Sequence, residues 1–166
     1  MKDGTTHLAY KAEHVVDLDS EFVPAAAVYA ADQSDPSTLV DSVVQAQVNV
    51  VLAGSEQEID EAVADKGYHK AETSAETAAT GPRTYIPEAR HSKERVWTDK
   101  PADWERAYRN NRRRTRGARG RRLQKRWSEY VERTFAHVCE SGGARRSQLR
   151  RLRGGFQALP VAGGGT

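Results

Sequence analysis

The order of strand-like and helix-like segments in the first ninety residues is the feature that most constrains the fold of this chain. Alternating apolar residues from Thr6 to Asp17 and an apolar run from Phe22 to Tyr29 predict two strands. A short acidic turn joins them, which favours an antiparallel hairpin. Helix, strand, helix and strand patterns follow, so the sequence predicts the α/β class, with one mixed sheet and helices packed on it.

The later elements are bounded by capping and turn residues. Asp35 is a plausible N-cap with Pro36 at the first helical position, and apolar residues then recur at three- and four-residue spacing as far as Gly54. The remaining predictions are a strand at residues 59–64 that ends at Asp65, a helix at 69–79 and a strand at 84–86.

Charge divides the chain into two unlike parts. Residues 1–90 contain 6 basic and 16 acidic residues, a net charge of −10, whereas residues 91–166 contain 20 and 7, a net charge of +13. Residues 112–126 alone contain nine Lys or Arg. Such a division predicts an acidic half beside a half that contacts polyanions. Beyond the basic run, apolar residues at three- and four-residue spacing predict an amphipathic helix that ends near Glu140.

The sequence lacks the signatures of several classes of protein. No apolar run is long enough to cross a bilayer, and residues 1–11 contain no apolar stretch of the signal-peptide type. Cys139 is the only cysteine, which excludes an intramolecular disulfide and suits a reducing compartment. Neither a phosphate-binding glycine loop nor an HExxH zinc motif is present. We therefore expect a cytoplasmic protein with no membrane partner.

Two carboxylates stand out as candidates for chemistry. Asp65 follows a buried strand, which is a common position for a metal ligand or a catalytic acid, and the alternative is an Asp that caps the following turn. Glu132 lies beside the apolar face of the last helix, where the alternative is a surface ion pair. If both carboxyls face one pocket near the sheet, they could bind divalent metal for in-line displacement at phosphorus.

The basic run is the third candidate. Guanidinium and ammonium groups at this density attract phosphates, and binding that releases counterions weakens steeply with salt. The alternative is a solvated, partly disordered basic arm. The predicted DNA-binding residues are Arg112, Arg113, Arg114, Arg116, Arg119, Arg121, Arg122, Lys125 and Arg126.

Several of these segments resemble one known family. Residues 8–17 (LAYKAEHVVD), 34–36 (SDP) and above all 64–68 (ADKGY) resemble the DDE transposases of bacterial insertion sequences. Residues 131–135 (VERTF) resemble the same family's terminal helix. The resemblance extends from Thr6 to Arg146.

The resemblance implies a ribonuclease-H-like fold and a role in DNA transposition. Enzymes of this family use three carboxylates and two Mg²⁺ ions to cleave DNA at insertion-sequence ends and to transfer the strand, and the intact enzyme can be oligomeric. Asp65 matches the second Asp and Glu132 matches the Glu. The basic insertion, about residues 91–126, matches the part that contacts DNA.

The chain also departs from the family pattern. The family's first Asp lies on a strand that would precede Met1, so residues 1–146 are expected to be an N-terminally truncated catalytic domain that does not cleave DNA alone. The Gly-rich residues 147–166 diverge and are expected to be a disordered tail. The alternative function is a non-catalytic nucleic-acid-binding protein or regulator derived from the same fold.

Overall fold

The protein is described here by a computed structural model that covers residues 10–30, 32–88 and 95–140. Its mixture of helices and strands confirms the α/β class. The predictions for residues 6–9 and for the tail at 147–166 lie outside the described residues. The strands are β1 (Tyr10–Val15), β2 (Ala25–Ala30), β3 (Glu61–Val63) and β4 (Arg83–Tyr85), and the helices are α1 (Asp35–Leu52), α2 (Ala71–Ala79), α3 (Ala102–Arg116) and α4 (Ala118–Glu140), with a 3₁₀ turn at Lys66–Tyr68.

The predicted hairpin is confirmed. Strands β1 and β2 are antiparallel, with Val15 opposite Ala25. The turn between them is closed by Asp17, whose backbone N–H donates to the carbonyl of Phe22 at 2.8 Å. Pro24 lies immediately before β2, so its missing N–H does not interrupt the ladder.

The second pair of strands forms a separate sheet. Strands β3 and β4 are parallel, with Glu61 opposite Arg83 and Val63 opposite Tyr85. The sequence predicted one mixed sheet, and for the described residues this is wrong, because the four strands form two sheets of two strands each. The physical reason is that no strand among residues 10–30, 32–88 and 95–140 lies between β1 and β3 to join them.

The core lies between α1 and the second sheet. It is formed by Leu39 and Val43 of α1, Ala62 of β3, and Ala64 and Ile86, which directly follow β3 and β4. Four of these five side chains are small or β-branched and Ile86 is fully buried, as expected for short strands covered by a helix.

Helix α1 begins one residue earlier than its predicted cap would place it. Ser34 is the N-cap, Asp35 is the first helical residue and Pro36 the second. The helix ends at Leu52, and Gly54 then adopts a φ of +83°, which is a conformation that glycine favours. The predicted breaking point of this helix is therefore confirmed.

The basic run is helical within the described residues. It lies at the end of α3 and the beginning of α4, which are separated only by Gly117. The two helices meet closely at Gly120, where a Cβ atom would lie 2.8 Å from the Cα and 2.9 Å from the carbonyl oxygen of Thr115. None of the described helices is long and apolar enough to cross a membrane.

Candidate functional site

A buried carboxylate joins the first sheet to α1. Glu13 accepts hydrogen bonds from Thr38 Oγ1 and Ser42 Oγ, both at 2.6 Å. Lys11 Nζ lies 3.3 Å from the same carboxylate and donates to Asp35 Oδ1 at 2.9 Å. The sequence analysis missed Glu13. The available signal was a pair of hydroxyl residues, four positions apart, on an otherwise apolar helix face.

Asp65 lies beside this network, at the start of the 3₁₀ turn. Its side chain is exposed and makes no capping hydrogen bond to the turn. Asp35 and Asp65 flank Gly67, since a Cβ on that glycine would lie 2.7 Å from Asp35 Oδ2 and 3.9 Å from Asp65 Oδ2. Burial, and then the charges of Glu13, Asp35 and Asp65, raises the pKa of Tyr68 above its usual value.

Glu132 has different neighbours. Its side chain is exposed, and Oε1 accepts a hydrogen bond at 3.2 Å from Ser128, one turn earlier on α4. The adjacent Arg133 donates to Glu21 Oε2 at 2.7 Å. Glu21 belongs to the hairpin turn, whereas Asp65 lies near Lys11 and Asp35, at the other end of β1.

Asp65 and Glu132 have no hydrogen-bond partner in common among the described contacts. Helix α4 contacts the end of β3 through Gln124, whose Nε2 donates to the carbonyls of Tyr85 at 2.6 Å and Ala64 at 3.3 Å. Glu132 lies eight residues further along that helix, about 12 Å from Gln124 at 1.5 Å per residue.

The described residues do not form a complete two-ion metal site. A pair of Mg²⁺ ions needs several oxygen ligands that converge on a shared position. Within the described parts of the chain, no group of three His, Cys, Asp or Glu side chains could hold a metal ion.

The structure divides the nine predicted DNA-binding residues into two sets. The first set has partners on other elements of the fold. These pairs are Arg112 with Glu88 at 3.3 Å, Arg114 with the carbonyl of Thr84 at 3.0 Å, Arg119 with Glu61 at 2.7 Å and Arg126 with Asp19 at 3.0 Å.

Glu61 is the most connected acid of this set. Both its oxygens accept hydrogen bonds from Arg119, at 2.9 and 2.7 Å, and Oε1 also accepts one from Tyr85 Oη at 2.7 Å. The hydrogen bond from Arg119, followed by that from Tyr85, holds the pKa of Glu61 below its usual range, although burial opposes this shift. The start of β3 is thereby joined to both β4 and α4. Sequence reasoning missed this role because the partners are 24 and 58 residues away.

The second set keeps its charge exposed. Arg113, Arg116, Arg121, Arg122 and Lys125 are all exposed and make no ion pair with another described element. The contacts that they do make are local, because Arg113 bonds to Asn110, Arg121 to the carbonyl of Arg116, and Lys125 lies 3.9 Å from Glu129. This cluster, which we call the basic corner, surrounds the junction of α3 and α4. It can bind an anionic polymer without breaking an internal ion pair to another element.

Comparison with known proteins adds no family to these observations. No family model, curated protein or solved structure significantly matches this chain.

Proposed function

We propose that this chain is part of a DDE-type transposase catalytic domain with a ribonuclease-H-like fold, whose function is DNA transposition. Within that domain, its own activity is to bind DNA through the basic corner. The single observation that carries the binding role is the exposure of five cationic side chains at one helix junction, none of them paired to the acidic half.

The geometry of the basic corner suits a phosphate backbone. Arg113 and Arg116 are one turn apart on α3, and Arg121 and Lys125 are one turn apart on α4, so each pair shares a helix face. The side chain of Arg121 reaches the carbonyl of Arg116 and brings the two pairs together. Cations on two helices that meet at a corner can contact successive phosphates, and such contacts position a protein without reading sequence.

The catalytic half of the proposal applies to the intact domain. Metal-dependent cleavage and strand transfer in this family need three carboxylates, and only Asp65 and Glu132 match them in this chain. We therefore propose that the chain alone does not cleave DNA. Mg²⁺-dependent nicking of an insertion-sequence end, lost on Asp65→Ala substitution, would contradict this statement.

The exposed basic corner, with no group of three metal-binding side chains among the described residues, also suits a second candidate function, a non-catalytic nucleic-acid-binding protein or regulator built on the same fold. The two functions differ in their response to Asp65→Asn. If the chain is placed in a larger protein that cleaves DNA, this change abolishes cleavage by the proposed catalytic domain. A regulator would bind DNA equally well before and after the change.

DNA binding is tested by fluorescence anisotropy with a random-sequence duplex at rising salt. We expect the affinity to fall steeply, because each phosphate contact adds about −0.9 to the slope of log K against log salt. Arg113→Gln combined with Arg116→Gln should weaken binding and reduce the magnitude of the slope by about 2.

The matched control is on the same helix. Arg106→Gln combined with Arg109→Gln removes the same charge from exposed positions outside the basic corner. The control should retain most of the affinity and the original slope. A flat salt dependence of the wild-type chain, or equal losses in the two double variants, would overturn the proposed interface.

A further inference from the structure

The turn between β1 and β2 holds two arginines of α4. Arg126 Nη1 donates to Asp19 Oδ1 at 3.0 Å, and its Nη2 donates to the carbonyl of Leu18. Seven residues further along the helix, Arg133 Nη2 donates to Glu21 Oε2 at 2.7 Å. The acidic half and the basic half of the chain therefore meet here through two ion pairs between one turn and one helix.

Both guanidinium groups also lie near one aromatic ring. The ring centroid of Tyr130 is 5.6 Å from Cζ of Arg126 and 4.8 Å from Cζ of Arg133. The three residues are four and three positions apart, so they share a face of α4 that is about 10 Å long. A guanidinium group that packs on an aromatic ring is held in orientation and keeps N–H donors for an anion.

The turn is formed by its own hydrogen bonds and does not depend on the two arginines. The N–H of Glu21 donates to the carbonyl of Asp17 at 2.9 Å, and the carboxylate of Asp17 accepts from the N–H groups of Asp19 at 3.2 Å and Ser20 at 3.1 Å. Glu21 has a φ of +61°, a left-handed conformation that is uncommon outside glycine. The turn can therefore separate from α4 while the hairpin stays folded.

Carboxylates and phosphates are interchangeable partners for these arginines. A guanidinium group binds either anion through the same N–H donors. Both ion pairs are open to water, since the side chain of Asp19 is 89% exposed and that of Arg133 is 59% exposed. Exposed ion pairs are weak and are screened by salt, so a polyanion can displace the two carboxylates.

We propose that the hairpin turn makes an autoinhibitory contact, in which Asp19 and Glu21 occupy a second phosphate-binding site, formed by Arg126, Tyr130 and Arg133, until DNA displaces them. The inference rests on the proposed DNA-binding function and adds a site outside the basic corner. The apparent affinity equals the intrinsic affinity multiplied by the fraction of molecules in which the turn is displaced. The turn therefore lowers the affinity of the free chain for DNA.

The test compares two pairs of acidic residues by fluorescence anisotropy of the full chain with a random-sequence duplex. Asp19→Asn combined with Glu21→Gln should bind about fivefold more tightly than the wild type, because two exposed ion pairs are weak competitors. The matched control is Glu56→Gln combined with Glu58→Gln, at the same spacing in the exposed loop after α1. The control removes the same charge and should change the affinity by less than about twofold at about 0.15 M salt, where distant charges are screened.

A second comparison restores the net charge. When Arg126→Gln and Arg133→Gln are added to the turn variant, the chain has the net charge of the wild type but lacks the site, so the gain in affinity should disappear. The wild type offers a readout that needs no substitution. On addition of duplex, the amide NMR signals of residues 17–22 should shift, while those of residues 56–58 stay in place.

A gain in the turn variant, its loss in the fourfold variant and the shift of the turn signals would support the proposal. An equal gain in the control, a gain that survives in the fourfold variant, or turn signals that do not move with bound duplex would each overturn it. If the wild type binds with a steep salt dependence and the turn variant gains nothing, this inference fails while the basic corner stands. If neither chain binds the duplex, both proposals fail.

Discussion

The side chain of Asn111, on α3, makes the two hydrogen bonds to the Ile86 backbone that a neighbouring strand would make. Its Oδ1 accepts from the Ile86 N–H at 2.9 Å, and its Nδ2 donates to the Ile86 carbonyl at 2.8 Å. Both residues are fully buried. The side chain of a helix thus satisfies the backbone directly after β4, which fixes the position of α3 on the second sheet.

The substitution Asn111→Ala should destabilise the protein strongly. It leaves the buried N–H and C=O of Ile86 without partners, at a cost of about 2 to 4 kcal/mol in the free energy of unfolding. Urea denaturation followed by circular dichroism measures this change. The neighbouring Asn110→Ala is the control, because Asn110 is only half-buried and its side chain accepts a hydrogen bond from the exposed Arg113. Similar losses in both variants would contradict the assigned role.

Gly120→Ala should also destabilise the protein, although alanine favours a helix over glycine by about 1 kcal/mol. The added methyl group would meet backbone atoms of Thr115, which cannot move without shifting α3. Overpacking of this kind costs about 1 to 3 kcal/mol and outweighs the gain in helix propensity.

Gly117→Ala provides the comparison at the same junction. A Cβ there would lie 3.3 Å from the carbonyl oxygen of Arg114, and the φ of −71° suits any residue. The thermal midpoint of Gly117→Ala should be close to that of the wild type, and the midpoint of Gly120→Ala should be several degrees lower. The reverse order would show that α3 and α4 do not meet at Gly120.

Gly67→Ala should disturb the acidic turn that contains Asp65. The methyl group would lie 2.7 Å from Asp35 Oδ2 and force that carboxylate away from its present position beside Lys11. We expect a loss of about 1 kcal/mol in the free energy of unfolding. The exposed neighbour Lys66 supplies the control, since Lys66→Ala should leave stability within about 0.5 kcal/mol. A neutral Gly67→Ala variant would show that the Asp35 carboxylate moves aside without a loss of stability.

Stability should fall as the pH is lowered through the range in which His14 titrates. Burial lowers the pKa of His14 from 6.5, while the charge of Glu13 opposes the shift. The unfolded chain therefore binds a proton below about pH 6.5 that the folded chain does not, and the free energy of unfolding decreases until the lowered pKa is passed.

Urea denaturation at pH 7.5, 6.5 and 5.5 measures this dependence. The variant His14→Gln should lose the part of the slope that belongs to His14. Glu61 does not affect this pH range. Its pKa is lowered from 4.5, so its contribution to stability is lost only at more acidic pH. An unchanged slope in His14→Gln would show that another group is responsible.

The elements of the first ninety residues could be predicted because local pattern determines them. Pro36 and Gly54 mark the limits of α1, and the apolar alternation before Asp17 identifies β1. The separation into two sheets could not be predicted, since periodicity gives the existence of a strand and not its partners. The position of α4 on the second sheet was equally beyond local pattern. It depends on Gln124, whose side chain donates to a backbone carbonyl 39 residues away.

The basic run shows what composition can and cannot reveal. The density of arginines predicted a surface for polyanions, and five of the nine side chains remain exposed. The other four bind within the fold, and nothing in their local sequence distinguishes Arg119 from Arg121. The difference lies in helix rotation, because Arg119 reaches Glu61 while Arg121 reaches back to the preceding helix.

Acidic residues that hold arginines within the fold also compete with phosphate for them. Glu61, Glu88 and Asp19 occupy three guanidinium groups next to the basic corner, and each of those ion pairs is itself weakened by salt. Ionic strength consequently acts on two interactions at once, the binding of a nucleic acid and the packing of α4 against its own sheet. In dilute buffer the internal ion pairs are stronger, so an affinity measured there refers to a molecule in which α4 is held more firmly than in concentrated salt.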